Sequence, residues 1–207
     1  MRLLLIRHGE TPANVIHALD TTLPGPGLTE LGHAQAAALP AVLASERIEG
    51  IWASEAARAQ ATAGPLAAAC SLPVQTLRGM YEIQAGALEK KTDPASITTY
   101  VEAMRSWSAG ELDVRVPGGE SGREALDRLD AGVRLVAATG IGTAAVFSHG
   151  AAIRVWSGRR GINLPADFVA RNVLENTGIV ALDGDPGGGW VVRSWMGRCF
   201  DGQPVDA

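Results

Sequence analysis

Residues 3–14 read LLLIRHGETPAN, four apolar residues in a row that break off into Arg7, His8 and Gly9. An apolar run without polar alternation is the pattern of a strand buried on both faces, and so of a parallel sheet covered by helices. The chain spends a core strand on delivering a cation and an imidazole to its tip. The rest of the sequence decides whether His8 is a structural cap or a reacting group.

Downstream, strand and helix patterns alternate. TELGHAQAAALPAVLA at 29–44 reads as a helix with Thr29 as N-cap and Leu31, Ala34, Ala38 and Val42 on its inner face, and Pro40 should kink it or end it early. Ile51 to Ala53 reads as a second strand, after which Ser54 opens a helix through EAARAQATAGPLAAA at 55–69. A third strand is expected at Val74 to Leu77, a fourth at Thr143 to Phe147, and a helix at about 151–159. Segments 177–182 and 190–195, joined by DGDPGGG, read as a terminal hairpin. This order predicts an α/β fold, a three-layer αβα sandwich around a mainly parallel sheet. Residues 81–120 break the pattern with KKTDP, a weakly amphipathic piece at 96–107 and the turn PGGE. They are expected to form a helical insertion covering the sheet edge, within a single domain spanning 1–207.

At 207 residues the chain can bury a substantial core without disulfides or a structural metal. Its 46% hydrophobic and 19% charged residues are those of an ordinary globular protein. A net charge of −4 with no basic run disfavours nucleic acid as a partner. The first apolar run is too short for a signal peptide, and no stretch approaches a membrane span. Two separated cysteines, Cys70 and Cys199, fit a reducing setting, so a cytoplasmic protein without membrane contact is expected. The oligomeric state is not legible.

In open α/β sheets, ligands bind beyond the carboxyl ends of the strands. Arg7 and His8 follow the first inferred strand, Ser54 and Arg58 the second, Glu82 the third, and Ser148, His149 and Gly150 the fourth. Two arginines, two histidines and a glutamate thus fall on one edge. Arginine forks match phosphoryl oxygens, neutral imidazole is a nucleophile, and a carboxyl can protonate a departing alkoxide. Gly9 and Gly150 are expected to let the backbone approach a ligand, and nearby helix starts to offer N–H groups to a phosphate.

These residues sit in motifs that resemble the histidine phosphatase superfamily, the phosphoglycerate mutase-like proteins. LIRHGET at 5–11 with Asn14, GLTELGHAQA at 27–36, ASEAARAQATA at 53–63, YEIQAGALE at 81–89, PGGES at 117–121, FSHGAAIR at 147–154 and NTGIVAL at 176–182 follow the family's order. The resemblance implies that His8 is a phosphorylated nucleophile, that Arg7, Arg58 and His149 form the phosphate pocket, and that Glu82 is the proton donor, with Glu89 as its competitor. Asn14 and Gly150 fall beside the transferred phosphate, and Thr21 and Thr22 at the mouth of the site. The reaction implied is metal-independent hydrolysis of a small phosphomonoester, with no cofactor.

The chain also departs from the pattern. DTTLPGPG at 20–27 replaces the usual segment before the second motif, and Ser54-Glu55 replaces a common Ser-Pro pair. The extra arginine pair with which mutases grip a carboxylated sugar phosphate has no counterpart, which favours hydrolysis over mutase transfer. A pocket that binds phosphate without turnover is the third reading. His17 and His33 match no metal-ligand spacing and are read as surface residues. Glu120, Ser121 and Asn176 are assigned to turns and strand edges, and Arg154 to either a brace or an ion pair.

Overall fold

The computed structural model describes residues 1–165 and 167–200; the remaining positions of the expected 1–207 domain, 166 and 201–207, lie outside it. The sheet is built from β1 (Arg2–Arg7), β2 (Gly50–Ala53), β3 (Val74–Thr76), β4 (Thr143–Ser148), β5 (Ile179–Asp185), β6 (Gly189–Trp195) and β7 (Arg198–Cys199). Its spatial order is β3-β2-β4-β1-β5-β6-β7. The first four named in that order run parallel, and β5, β6 and β7 add on antiparallel, which is the expected hairpin with a short extension.

Side chains of β1 alternate between two cores. Leu4 and Ile6 pack with Leu39 of α2 (Glu30–Val42) and with Ala59, Ala63 and Leu66 of α3 (Ala57–Cys70). Leu3 and Leu5 point the other way, into the core of Trp107, Leu129 and Trp156. These come from α4 (Pro94–Ala109), α5 (Gly122–Ala137) and α6 (Gly150–Arg160). The αβα layering is therefore the expected one, and the unbroken apolar run exists because both faces of β1 are covered. Each of these buried leucine and isoleucine side chains contributes roughly 1.5–3 kcal/mol relative to exposure. Among the described residues, no helix is long and apolar enough to cross a membrane.

Several local expectations are corrected. Thr29 does cap α2, accepting a hydrogen bond from the Gly32 amide, but Leu31 and Val42 are solvent-exposed while Gly32, Ala36 and Leu39 face inward. In an alanine-rich helix hydrophobicity does not mark a face; close approach does, and the small residues sit where the backbones meet. The helix also passes through Pro40 and stops two residues later. Ser54 does not open α3, which begins at Ala57 without a side-chain cap. The most regular amphipathic helix, α5, was passed over in the sequence although Ser121 and Glu124 form a capping box and Ala125, Leu126, Leu129, Val133 and Val136 line one face. The 81–120 stretch contains a 3-10 turn (Gly86–Leu88) and α4, which packs on α6 and α5.

Gly9 and Gly32 are required by packing between the His8 loop and α2. A Cβ on Gly9 would lie 2.6 Å from the Gly32 carbonyl oxygen, and one on Gly32 would lie 2.2 Å from that of Glu10. For Gly9 this replaces the expectation of close ligand approach. Helix propensity alone predicts that Gly32→Ala stabilises the protein by up to about 1 kcal/mol. The backbone contact reverses the sign, and urea unfolding should show a loss of more than about 1 kcal/mol; equal or greater stability would refute the packing argument.

Candidate active site

The register of the central strands sets Arg7 opposite Ser148, and the His8 amide donates to the Ser148 carbonyl at 3.0 Å. The next residue on each strand is a histidine. Their rings stand edge to face with centroids 5.1 Å apart, both buried.

Hydrogen bonding fixes the form of each imidazole. His8 Nδ1 lies 2.8 Å from the Gly9 carbonyl oxygen, which can only accept, so Nδ1 carries the hydrogen and Nε2 the lone pair. His8 lines a pocket of about 90 Å³ together with Arg7, Asn14, Thr21, Arg58, Glu82 and others. His149 is held in the opposite sense. Arg58 Nε donates to its Nδ1 at 3.3 Å, which leaves the hydrogen on Nε2 to be donated to Ser54 Oγ at 2.7 Å. Both of its nitrogens are engaged, so His149 reaches the pocket through Arg58 and does not itself form the wall. Burial pulls the His8 pKa down to about 3, aided by the charges of Arg58 and Arg7. Burial, again with Arg58, also holds His149 well below the ordinary histidine value.

The two cations converge on the same space. Arg7 Nη1 donates to the Leu174 carbonyl at 2.6 Å, while its buried Nε and the buried Nη2 of Arg58 have no partner among the described residues. Buried donors normally find acceptors, so donors left over in a pocket point to an oxygen-rich anion. A Cβ at Gly150 would lie 3.2 Å from Arg7 Nε, so this glycine gives the guanidinium room against the start of α6. Asn14 is oriented too. Its Oδ1 accepts from the Thr11 amide and from Asn176 Nδ2, which leaves its own amide hydrogens for the pocket.

Glu82 is gripped by the start of α6. Its carboxylate oxygens accept from the Ala151 and Ala152 amides at 3.1 and 2.8 Å, and from its own neighbour Ile83 at 2.9 Å. Glu89 is spent elsewhere, on the Thr21 amide and on the Thr21 hydroxyl at 2.5 Å, so it clamps the mouth segment. Thr21 Oγ in turn accepts from the Ala85 amide. The Thr22 hydroxyl donates to Asp20 and its carbonyl accepts from Arg58 Nη1, so it supports the arginine rather than lining the pocket. His17 and His33 are exposed, and neither lines the pocket.

Sequence reasoning missed several supports. Asn176 Nδ2 donates to the His8 carbonyl at 3.0 Å as well as to Asn14, and Thr62 Oγ accepts from the Gly9 amide at 2.9 Å. Arg128 on α5 commits all five of its donors around the Glu82 segment. It bonds both oxygens of buried Glu120 and the carbonyls of Gly79, Tyr81 and Glu82, and it stacks 4.0 Å from the Tyr81 ring centre. Glu120 Oε1 also accepts from the Gln84 amide. The missed α5 concealed this brace, because without that helix nothing linked position 128 to position 82.

Comparison with known proteins agrees with this arrangement. The sequence model of the histidine phosphatase superfamily (branch 1) matches residues 3–196. The chain is 33% identical to the PE-PGRS family protein PE_PGRS11 of Mycobacterium tuberculosis over 97% of its own length, but it spans only 36% of that protein. It is 31% identical to the probable phosphoglycerate mutase GpmB of Proteus mirabilis, covering 95% of this chain and 90% of that one. Among solved structures, a mycobacterial glucosyl-3-phosphoglycerate phosphatase superposes with a TM-score of 0.77 at 26% identity, covering 94% of this chain and 98% of the other. The alpha-ribazole phosphatase of Shigella flexneri superposes with a TM-score of 0.75 at 26% identity over the whole of both chains.

The buried neutral histidines set a pH dependence of stability. In the unfolded chain they titrate near 6.5, whereas the folded protein binds those protons only at much lower pH. Their stabilising contribution is therefore complete above about pH 6.5 and is lost as pH falls below it, toward 3 for His8, at about 1.4 kcal/mol per pH unit for each histidine. Urea midpoints measured from pH 7.5 to 4.5 should fall accordingly. His8→Asn, whose amide can keep the bond to the Gly9 carbonyl, should flatten that slope by about one proton; parallel slopes would contradict the assignment.

Proposed function

The chain belongs to the histidine phosphatase superfamily, branch 1, and from that premise we propose that it hydrolyses a small phosphomonoester through a phosphohistidine on His8. The observation that carries this reading is the tautomer of His8. A ring whose Nδ1 hydrogen is tied to the Gly9 carbonyl presents an Nε2 lone pair to a pocket containing two arginines. Nε2 attacks phosphorus, and the bond from phosphorus to the ester oxygen breaks. Glu82, in its acid form, gives that oxygen its proton. A water molecule then attacks the phosphohistidine, Glu82 takes the water's proton, and the P–N bond breaks to release phosphate. Arg7, Arg58 and the Asn14 amide stabilise the equatorial oxygens throughout.

Hydrolysis is favoured over transfer between hydroxyls of a carboxylated sugar phosphate. Arg7 and Arg58, both committed to the phosphoryl group, are the arginines lining the pocket; no lysine lines it among the described residues. Lys90, close by, is paired with Asp20 at 2.5 Å. Following phosphate release beside 2- and 3-phosphoglycerate interconversion separates the two activities.

His8→Asn should lower turnover by at least ~10³-fold while binding of inorganic phosphate persists. Acid-quenched wild-type enzyme should carry phosphate that is alkali-stable and acid-labile. Retained hydrolysis in the variant would refute the nucleophile. Glu82→Gln should slow alkyl phosphates by about 10²- to 10⁴-fold but 4-nitrophenyl phosphate far less, because nitrophenolate leaves without a proton; an equal effect on both would remove Glu82 from that role. Arg128→Lys keeps the charge and loses the five-donor fork. It should cut kcat for alkyl phosphates by about tenfold or more while KM moves only a few-fold, and an unchanged kcat would show that the brace is dispensable.

A further inference from the structure

A second cavity, of about 100 Å³, adjoins the phosphate pocket and shares with it the ring of Tyr100. Its walls are mainly apolar, with Val101 and Met104 on one face of α4, Ala151 and Val155 on α6 and Val169 on the short helix α7 (Phe168–Arg171); Arg105 and Arg154 are its charged members, and Arg154 donates to the Val169 carbonyl. We propose that this cavity receives the body of the leaving alcohol, and that the substrate is a monophosphate whose alcohol carries an apolar aliphatic or aromatic group. The inference rests on the hydrolase reading above.

The direction in which the alcohol must leave supports it. In an in-line displacement at phosphorus the ester oxygen departs opposite His8, and it must come within hydrogen-bond reach of Glu82 to be protonated. The Glu82 carboxylate is held by the amides of Ala151 and Ala152. Ala151 is also part of the second cavity, and Tyr100 faces both spaces while its hydroxyl is tied to the Ile83 carbonyl, one residue from Glu82. The first carbons of the alcohol therefore meet Tyr100 and Ala151, where the apolar cavity begins.

The opposite wall offers a poor alternative. There the Thr21 hydroxyl is donated to Glu89 and the Asp20 carboxylate holds the Lys90 ammonium, so both groups are already satisfied within the protein. A sugar hydroxyl there gains only the lone pairs that these bonds leave free. On the cavity side, Val101 is 45% exposed, and an apolar ligand gains by covering such surface without breaking any hydrogen bond.

The test is a series of esters whose leaving alcohols differ little in acidity: ethyl, butyl and 2-phenylethyl phosphate, with glycerol 3-phosphate and glucose 6-phosphate as polar members. We expect kcat/KM to rise by about tenfold or more from ethyl to 2-phenylethyl phosphate, with the polar esters no better than ethyl phosphate. Met104→Gln and, independently, Val101→Ser should each lower the 2-phenylethyl to ethyl ratio by about threefold or more. The ratio is read within one variant, so a general loss of folded enzyme cancels. A flat series, or a preference for a polar ester that neither substitution moves, would place the alcohol on the Asp20 and Thr21 side and overturn the proposal. Absence of hydrolysis for every ester, with no phosphohistidine formed, would instead remove the hydrolase reading and this inference with it.

Discussion

The parallel pairing of β1 with β4, registered so that Arg7 stands opposite Ser148, is the constraint on which the site depends. Two strands distant in sequence end at the same height, and each is followed by a histidine. The apolar residues upstream enforce that register. Leu3 to Ile6 are buried, and a slip by one residue would exchange the side chains facing the two cores. The packing energy that holds the sheet thus also holds the two imidazoles 5.1 Å apart.

Burying two arginines and two histidines together is unfavourable unless each has partners, and the network around them meets that need in a definite order. Arg58 donates to His149, His149 to Ser54, and the Thr22 carbonyl takes a further bond from Arg58. Because arginine can only donate, Arg58 fixes the tautomer of His149; because a carbonyl can only accept, Gly9 fixes that of His8. Protonating either ring would add a positive charge beside two existing ones. Beside these neutral imidazoles, Arg7 Nε and Arg58 Nη2 have no acceptor among the described residues. On the proposed reading, an incoming phosphoryl dianion supplies the missing acceptors.

Most of this arrangement was legible where the chain carries chemistry at strand ends. Arg7, His8, Arg58, Glu82 and His149 all follow strands that hydrophobic runs revealed, and the structure brings them together. What escaped notice was carried by side chains acting through others. Ser54 reads as a helix start and serves His149 instead; Asn176 reads as a strand-edge residue and orients Asn14 and the His8 carbonyl. Arg128 could not be placed without α5, although the capping box from Ser121 to Glu124 and the apolar spacing after it were present to be read. The inner face of α2 was misjudged for a different reason: when every residue is small, close backbone approach at Gly32 decides the packing, and hydropathy does not register it.

The supports of the two candidate reacting groups come from different parts of the molecule. His8 is fixed by the sheet, by Thr62 of α3 and by Asn176, all outside residues 81–120. Glu82 is fixed by the start of α6 and by the Arg128–Glu120 pair, with Glu120 closing the covering segment. Both surroundings considered above for the proposed leaving alcohol also draw on that segment, through Tyr100, Val101 and Met104 in one and Glu89 and Lys90 in the other. Substitutions along α4 therefore reshape the second cavity without touching His8, Arg7 or Arg58. Changes at Arg128 or Glu120 are transmitted to Glu82 itself. If the proposed hydrolysis holds, the covering segment separates the choice of alcohol from the chemistry at phosphorus, while the brace from α5 keeps Glu82 in register with both.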